Sequence, residues 1–474
     1  MAAIGFELKK MLKERRDVSL LRGVLYSVFA IASYMLLLIF FLAVVSIVMD
    51  VRSAPYFERD LLVSIILYAF IFALIITGPL SAVISRYITD KLFDEEYDAI
   101  LPGYNMGLLI NTLVAFCFGA PFVLIAITTS EIDPLVILLA GVMFISLNLV
   151  FYNMTFVTAI KRYKNIALIF VVGLAIGLLL AIALYLFVSV PFIHAVLTGI
   201  ATGFVLVAMV FSALIRKAFT GTNQHYKELI EYLWRYKTLF FTNLFYILGI
   251  YSASFVFWYM SELSVLVYGM FRIAPVFDTA TLLGVFTNLL MLIIFVARAE
   301  TRFHDRYQYF CRQLVIGTKK SADVAKVKMF RSLRHEIIFI VCAQAIVTIF
   351  IYFVLSLSAS FFGLGGMVMS IYPSLAAGYF LVFAVGVVIV FLLYFDDRIG
   401  AIVVSALFFS ITLITSIIAI NFAVSALYGI GTFIGGFCAW TVAYFRLGKI
   451  EQSVERMIFQ KGGIGEKIAL SPLQ

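Results

Sequence analysis

Long apolar runs separated by short polar segments dominate this chain. A membrane-spanning helix needs about 20 mostly apolar residues, and continuous runs of that length recur along the whole sequence. They lack the ~10-residue alternation of membrane β-barrel strands. The pattern therefore predicts an all-α polytopic membrane protein. About twelve transmembrane helices are predicted, at 23–49, 61–85, 104–128, 135–159, 166–190, 194–215, 238–260, 276–297, 337–357, 371–394, 400–422 and 425–445.

The sequence allows more than one interpretation of two short segments. Val190–Ile193 is compatible with a link between two helices or with a kink in one, and residues 261–275 are apolar enough for a re-entrant segment. The composition agrees with the membrane class, because 64% of the 474 residues are hydrophobic and 13% are charged. A water-soluble fold cannot hide so large an apolar fraction.

The distribution of Lys and Arg predicts the orientation of the spans. These residues are retained on the cytosolic side during insertion, and 32 of the 35 fall on one side if the N-terminus is inside. Arg52, Arg59 and Arg272 are the three outside. We therefore expect both termini in the cytosol. Anionic lipid headgroups are a sufficient partner for the net charge of +9, so nucleic acid is not expected as a partner.

The sequence lacks the common catalytic and cofactor motifs. It has no phosphate-binding GxxxxGK[ST] loop and no HExxH, CxxC or GxSxG. Its four cysteines, Cys117, Cys311, Cys342 and Cys438, have no paired spacing, and its four histidines are scattered. We therefore predict no catalytic residue, no metal site and no cofactor, and a protein that is not an enzyme.

An acid-rich stretch, Ile84–Gly103, lies between the second and third predicted spans. It carries five carboxylates against two bases. Its apolar residues recur at helical spacing, and Pro102 is expected to end the helix. The pattern predicts an amphipathic helix at the cytosolic interface, with its acids toward water. This elbow is either a solvated connector or a docking face for a cytosolic partner. The acids proposed for docking are Asp94, Glu95, Glu96 and Asp98.

A second charged and aromatic stretch, Ala297–Phe310, follows the eighth predicted span. It occupies the position in the second half that the elbow occupies in the first, which hints at a parallel six-plus-six repeat of the kind found in some transporters. Any two basic, aromatic exits on the cytosolic side would also look alike. The arginines proposed here for docking are Arg298, Arg302 and Arg306.

Neutral hydrogen-bonding side chains lie inside the predicted spans, where charged groups are costly. Amides and phenols suit an uncharged or mixed polar cargo such as a sugar. They also serve to hold helices together, so both interpretations stay open. The candidate residues of a sugar path are Asn105, Asn111, Asn148, Asn153, Asn243 and Tyr246.

Two charged residues lie near the outer end of the eighth predicted span. Arg272 precedes Asp278 by six residues. The two side chains are predicted either to form an interfacial ion pair or to lie at the mouth of a cavity.

Three stretches resemble a known family. "MAAIGFELKKML" (Met1–Leu12), "GPLSAVISRYITDKLFDEEYDAILP" (Gly78–Pro102) and, more loosely, "ARAETRFHDRYQYF" (Ala297–Phe310) are similar to the corresponding stretches of the PelG family. These are inner-membrane transporters of Pel exopolysaccharide systems, within the superfamily of multidrug, oligosaccharidyl-lipid and polysaccharide exporters. The likeness extends over essentially the whole chain.

The resemblance implies two six-helix bundles around a central cavity in the bacterial inner membrane. On this basis we divide the chain into a cytosolic amphipathic helix (1–22), a first bundle (23–215), a cytosolic linker (216–237), a second bundle (238–445) and a cytosolic tail (446–474). The resemblance also implies export of an amino-sugar polymer. The expected partners are a cytosolic glycosyltransferase that uses UDP-sugars and small membrane subunits of the same synthase complex.

Three other functions are kept as alternatives. A flippase for lipid-linked oligosaccharides is expected to line its cavity with Arg or Lys to meet a pyrophosphate, and few bases lie within these spans. A cation-coupled drug antiporter needs an acidic residue deep in a span, and none is evident in the sequence. The third alternative is a scaffold of the synthase complex that transports nothing.

The twelve-span topology makes a direct prediction. Reporter fusions after Lys237 and Gln474 should give a cytosolic signal, and fusions near Pro55 and Glu131 should give an external one, because Lys and Arg concentrate on one side. Paired reporters that are active on opposite sides of the membrane make the measurement. An external signal at Gln474 would rule out an even number of spans.

Overall fold

A computed structural model gives the architecture. It describes residues 41–42, 44–45, 56–159, 163–219, 221, 226–295, 301–361, 363–422 and 424–460. The predicted N-terminal helix, most of the first span and the end of the C-terminal tail lie outside these residues. Contacts divide the described chain into two compact units, one within Phe29–Pro275 and the other within Val276–Gln474.

The first unit consists of seven helices and a two-stranded hairpin within its described residues. The helices are α1 (Tyr56–Phe93), α2 (Ile100–Thr129), α3 (Pro134–Ala159), α4 (Tyr163–Phe187), α5 (Phe192–Ala218), α6 (Lys227–Arg235) and α7 (Lys237–Met260). The strands β1 (Val265–Tyr268) and β2 (Phe271–Ile273) pair antiparallel.

The second unit is helical throughout its described residues. Its helices are α8 (Pro275–Ile294), α9 (Thr301–Ile316), α10 (Lys319–Ser358), α11 (Gly366–Tyr394), α12 (Arg398–Ala419) and α13 (Ile430–Gln460), and a 3₁₀ turn covers Ser425–Leu427. The division differs from the predicted boundary at 216–237, because α7 packs against α1 in the first unit. The two six-helix domains stay a prediction.

The predicted fold class is confirmed. Ten helical segments among the described residues are long and apolar enough to cross a membrane. Of the two other predicted spans, 23–49 lies mostly outside the described residues, and 276–297 is largely covered by the 20 residues of α8.

The structure defines three connecting segments that the sequence left ambiguous or without assigned secondary structure. The Val190–Ile193 segment joins two helices, since α4 ends at Phe187 and α5 begins at Phe192. Residues 261–275 contain the β1–β2 hairpin, and a re-entrant position of this segment in the membrane stays a prediction. The segment between the eighth and ninth predicted spans, 298–336, contains α9 and the start of α10.

Glycines let α4 and α5 approach closely. A Cβ atom added to Gly177 would overlap the carbonyl oxygen of Gly199, and one added to Gly199 would overlap that of Gly177. Gly173 and Gly203 lie one turn away on the same two faces, which gives each helix a GxxxG spacing. Association of this kind depends on van der Waals packing between backbones in the membrane.

In the second unit, glycines likewise let α12 and α13 pack closely. Added Cβ atoms at Gly431 and Gly435 would overlap the hydroxyl oxygens of Ser416 and Thr412, respectively. Both hydroxyls are buried, and neither of them donates or accepts a conventional hydrogen bond among the described residues. They face the glycine backbone of α13, where weak Cα–H···O contacts form in closely packed helices.

Close packing at Gly177 predicts a loss of stability on adding one methyl group. Gly177→Ala should cost about 1–3 kcal/mol, because the backbone of α5 cannot move away without opening the helix pair. The melting temperature in detergent is the measurement. Gly448→Ala is the control, since nothing lies within 4 Å of a Cβ there and alanine favours the helix. Equal melting temperatures for the two variants would contradict the prediction.

Candidate functional site

The acidic elbow of the first unit is a tight turn between two long helices. α1 continues to Phe93, a 3₁₀ turn covers Tyr97–Ala99, and α2 begins at Ile100. The prediction of a separate interfacial helix is therefore wrong. Pro102 does not end a helix but lies in the first turn of α2, where the missing N–H costs little. The backbone at Glu95 adopts a left-handed conformation, with a φ of 60°, within the turn between α1 and α2.

The orientation predicted for the elbow acids, toward the cytosol, stays a prediction. The four proposed docking acids are exposed, and the turn that carries them is followed by buried Ala99 and Ile100. Tyr87, six residues before the end of α1, donates a hydrogen bond of 2.9 Å to the carbonyl oxygen of Ala99. This bond fixes the path of the turn.

A buried lysine joins the elbow to the linker helix. Lys91 Nζ lies 2.5 Å from Glu96 Oε2 and also contacts Glu228 Oε1 in α6, with 11% of the lysine side chain exposed. Its ammonium group lies 5.8 Å from the ring centroid of Tyr87. Charge-assisted bonds of this kind are stronger than neutral ones. Lys91 therefore holds α1, the turn and α6 together.

A second set of contacts lies beside this lysine. Asp90 accepts a 3.1 Å hydrogen bond from Arg86 Nε and another from the hydroxyl of Tyr232. Tyr232 stacks on Tyr236 at 4.8 Å, and Arg86 lies 5.7 Å from the Tyr236 ring centroid. Burial, followed by the bond to Asp90, raises the pKa of Tyr232 above its usual value. The phenol therefore stays protonated and continues to donate.

These contacts frame an open cleft of about 640 Å³. Acidic side chains predominate in its wall, and one aromatic ring, that of Tyr97, is half exposed beside them. The cleft is lined by Lys91, Glu95, Glu96, Tyr97, Asp98, Ala99, Lys227, Glu228 and Glu231.

The proposed docking residues are not equivalent in the structure. Glu96 is bound to Lys91, whereas Glu95 and Asp98 line the cleft. Arg306 is exposed on α9. Arg298 and the side chain of Arg302 lie outside the described residues. Docking at these positions stays a prediction.

Buried amides link the three helices α1, α2 and α3. Thr77 donates a 3.0 Å bond to Asn148 Oδ1, and Asn111 Nδ2 lies 3.4 Å from the carbonyl oxygen of Asn148. Asn148 in turn donates to the carbonyl oxygen of Phe144 at 2.8 Å. Asn111 and Asn148 are each 1% exposed. Both amides therefore connect helices.

Asn153 connects three further positions. Its Oδ1 accepts a 3.0 Å bond from the Tyr104 hydroxyl, and its Nδ2 donates to the carbonyl oxygen of Ala208 and to Ser212 Oγ, each at 3.0 Å. The residue has no exposed surface. This network ties α2 and α3 to α5.

Three other candidates for a sugar path keep some exposure. Asn105, Asn243 and Tyr246 are partly exposed. Asn243 donates a 2.6 Å bond to the carbonyl oxygen of Gly78 in α1, which leaves its amide oxygen available for another donor. A path through any of the six candidates stays a prediction.

Arg272 lies in β2, and its backbone forms hydrogen bonds with the side chain of Tyr68 in α1. Its carbonyl oxygen accepts a 2.8 Å bond from the Tyr68 hydroxyl, and its N–H donates back to that hydroxyl at 3.3 Å. Tyr68 stacks on Trp258 at 4.8 Å, so the hairpin is fastened to α1 and α7. Asp278 is partly exposed in α8. The predicted role of both charges stays a prediction.

A family profile described as "PelG: Putative exopolysaccharide Exporter (EPS-E)" matches residues 1–459. The chain belongs to the PelG family. The resemblance seen in the three sequence stretches is thereby confirmed. No curated protein matches the chain.

Solved structures similar to this PelG-family chain are MATE transporters. The Vibrio cholerae MATE transporter VcmN has a TM-score of 0.62 at 12% identity, over 95% of this chain and 99% of that one. An outward-facing multidrug resistance MATE transporter of the MOP superfamily has a TM-score of 0.58 at 11% identity, over 91% and 96%. A MATE in complex with MaD3S gives 0.57 at 10% identity, over 91% and 96%. At these identities the likeness shows the fold.

The second unit of the PelG-family chain holds a polar network that the sequence reasoning missed. Gln344 Nε2 donates to the carbonyl oxygen of Thr287 at 2.9 Å and to Asn288 Oδ1 at 3.1 Å. Asn288 Nδ2 donates to the carbonyl oxygen of Ala376 at 2.9 Å, and the hydroxyls of Thr287 and Tyr372 lie 2.8 Å apart. The network joins α8, α10 and α11.

A sequence signal for this network was present. Thr287 and Asn288 interrupt the apolar run of α8, and Gln344 with Thr348 lies at a spacing of one helical turn in α10. Among the described residues, no group of three or more His, Cys, Asp or Glu side chains could hold a metal ion.

The lysine in the elbow gives the next prediction. Lys91→Met should lower stability by about 1–3 kcal/mol, because two carboxylates lose their charged partner. Protease cleavage near residues 94–96 should become faster as α6 is released. The measurements are the melting temperature and the cleavage rate in detergent. Lys227→Met removes an exposed lysine from the same cleft and should change neither. Equal behaviour of the two variants would show that Lys91 does not fasten the turn.

Proposed function

We propose that this chain exports an amino-sugar exopolysaccharide across the bacterial inner membrane, in step with a cytosolic glycosyltransferase. The observation that carries the proposal is the match of residues 1–459 to the exopolysaccharide exporter profile. A MATE-like transporter fold over most of the chain supports the transport part. The amino-sugar cargo and the glycosyltransferase rest on the family resemblance.

The chemistry of the spans supports a neutral polar cargo. Their buried polar groups are amides and hydroxyls, such as those of Asn148, Asn153 and Asn288. A sugar offers many hydroxyls that bond to neutral groups, whereas a pyrophosphate needs arginine or lysine. Apart from Asp278, the Lys, Arg, Asp and Glu side chains, such as that of Lys91, lie outside the predicted spans. This favours a polysaccharide over a lipid-linked pyrophosphate.

One buried acid bears on the drug-antiporter alternative. Glu336 is 3% exposed in α10, immediately before the apolar run that starts at Ile337. It therefore lies at the predicted cytosolic boundary of the span. An ion carrier needs its acid deeper in the span.

The elbow cleft supports coupling to a cytosolic protein. Its exposed acids Glu95 and Asp98 lie at the predicted cytosolic end of α1 and α2. Complementary charges orient a partner and raise its association rate. The turn that presents them is fixed by Lys91 and Tyr87, so docking would require little reordering.

Export itself is tested by deletion and complementation. Cells without the chain should secrete no amino-sugar polymer, and the intact gene should restore it. Secreted and cell-associated polymer are measured together by amino-sugar analysis after acid hydrolysis. Undiminished secretion from deleted cells would refute export by this chain.

The coupling is tested by reversing the two cleft acids. Glu95→Lys with Asp98→Lys should leave the chain inserted and folded, since both side chains are exposed, but should weaken capture of the glycosyltransferase at least tenfold through like-charge repulsion. Pull-down in detergent at low and high salt, with secreted polymer measured alongside, gives the result.

The control for this pair is Gln452→Lys, which adds a base to an exposed position of the second unit. Glu96 is left unchanged because it binds Lys91. If capture and secretion match the wild type, the elbow is a connector and the glycosyltransferase docks elsewhere or not at all.

A further inference from the structure

Helix α10 is longer than a membrane span. Its 40 residues extend about 60 Å at 1.5 Å per residue, twice the ~30 Å hydrocarbon core of a bilayer. It contains no proline, the usual cause of a sharp kink. Its apolar half begins at Ile337, and the half before it, Lys319–Glu336, carries the charges. This first half therefore continues beyond the membrane.

One face of this extension is packed within the second unit. Ala325, Met329 and Leu333 are buried, and α9 packs along the same helix. Phe330 stacks on Phe395 at 5.4 Å. Arg334 forms a 2.6 Å ion pair with Glu451 of α13. The extension is thus fixed on its inner side, and its outer face has a defined geometry.

The outer face combines cations with exposed valines. Val324 and Val327 are 48% and 55% exposed. Their neighbours along the same face are exposed bases at helical spacing and one exposed acid, Asp323. We name this face the α10 ridge; it consists of Lys320, Val324, Val327, Lys328 and Arg331. These three bases form no ion pair among the described residues.

The position of the ridge decides between lipid and protein as its occupant. The stripe continues into the membrane at Ile338, which is 61% exposed. Val327 precedes Ile338 by 11 residues, or about 17 Å of helix. The headgroup layer of one leaflet is only about 5–8 Å thick. Even at a tilt of about 40° the valine lies about 13 Å beyond the hydrocarbon edge. The ridge therefore extends past the headgroups into water.

We propose that the α10 ridge is the docking surface for a cytosolic protein that presents an acidic helix or patch with an apolar groove. The bases supply charge complementarity, and the two valines supply the apolar contact at the centre. A cationic stripe that reaches past the headgroups fits carboxylates on a protein surface better than it fits lipid phosphates. The proposal does not depend on which cargo the chain exports.

The chemistry of the ridge sets how such a partner binds. Two valines bury little apolar area, so the contact is held largely by charge and should weaken with salt. Electrostatic attraction raises the association rate and selects acidic partners over basic ones. The fixed inner face keeps the ordering cost of binding low.

Site-specific photo-crosslinking in the native cells tests the proposal. A benzophenone amino acid replaces Val324 or Val327 in the full-length chain, and cross-linked peptides are sequenced by mass spectrometry after irradiation. The expected adduct lies in an Asp- and Glu-rich segment of a cytosolic protein. Its yield should fall at least about tenfold when Lys320, Lys328 and Arg331 are all changed to Glu.

Matched controls separate this result from misfolding and from membrane contact. The same probe at Ile346, which is 69% exposed on the apolar part of the stripe, should react with lipid. Arg235→Glu reverses an exposed base on α6 and should leave the adduct from Val324 unchanged. Melting temperature in detergent checks that the triple variant is folded.

Four outcomes would overturn the proposal. They are adducts with lipid at Val324 and Val327, adducts within this chain or a second copy of it, adducts with segments that are not acidic, and an acidic adduct that survives the triple reversal. Secreted polymer is measured in the same cells. Full secretion with no adduct would remove the ridge proposal while leaving the export function intact.

Discussion

A polar group inside a bilayer has no water to bond, and the rest of this structure depends on that constraint. Each unsatisfied group in hydrocarbon costs several kcal/mol, so polar side chains in the spans bond to partners in the protein or, like Thr412 and Ser416, pack against its backbone. Asn148 and Asn153 meet this need in the first unit, and Asn288 and Gln344 meet it in the second. Charged side chains lie outside the predicted spans apart from Asp278, and buried Lys91 there still contacts two carboxylates.

The two units repeat the same contacts at the same span positions. In each half, the second, third and fourth predicted spans share a buried network of amides and hydroxyls. In each half, the fifth and sixth spans pack through glycines, Gly177 against Gly199 and Gly435 against Thr412. The two exits that first suggested a repeat differ, since one is a tight turn and the other leads to α9 and a long helix. The likeness between the halves therefore lies in the membrane contacts, where the physical constraint is the same for both.

Hydropathy predicted the spans because length and apolarity are sufficient to identify a membrane helix. It did not predict how the helices end. A charged helical extension such as Lys319–Glu336 has the composition of a loop, and a short apolar segment such as 261–275 does not distinguish a strand from a helix. In the elbow, the contact of Lys91 with Glu228 joins residues 137 apart. A contact at that separation leaves no periodic signal in one sequence. The asparagines were recognised as polar, but their partners are hydroxyls and carbonyl oxygens on other helices, which no pattern in one sequence reveals.

The buried networks also limit where a sugar can bind. Asn111, Asn148 and Asn153 are at most 1% exposed, and each is already bonded to a neighbouring helix or to its own helix. Turning such an amide toward a cargo would leave a buried partner unsatisfied, at a cost of about 1–3 kcal/mol per group. A polysaccharide passes many sugar units in succession, so that cost would recur with every unit. A partly exposed amide such as that of Asn243 can keep its Nδ2 bond to the carbonyl oxygen of Gly78 and offer its oxygen to a sugar hydroxyl in place of water. A conduit for polysaccharide in this fold is therefore best built from the partly exposed amides, with the fully buried ones holding its walls in place.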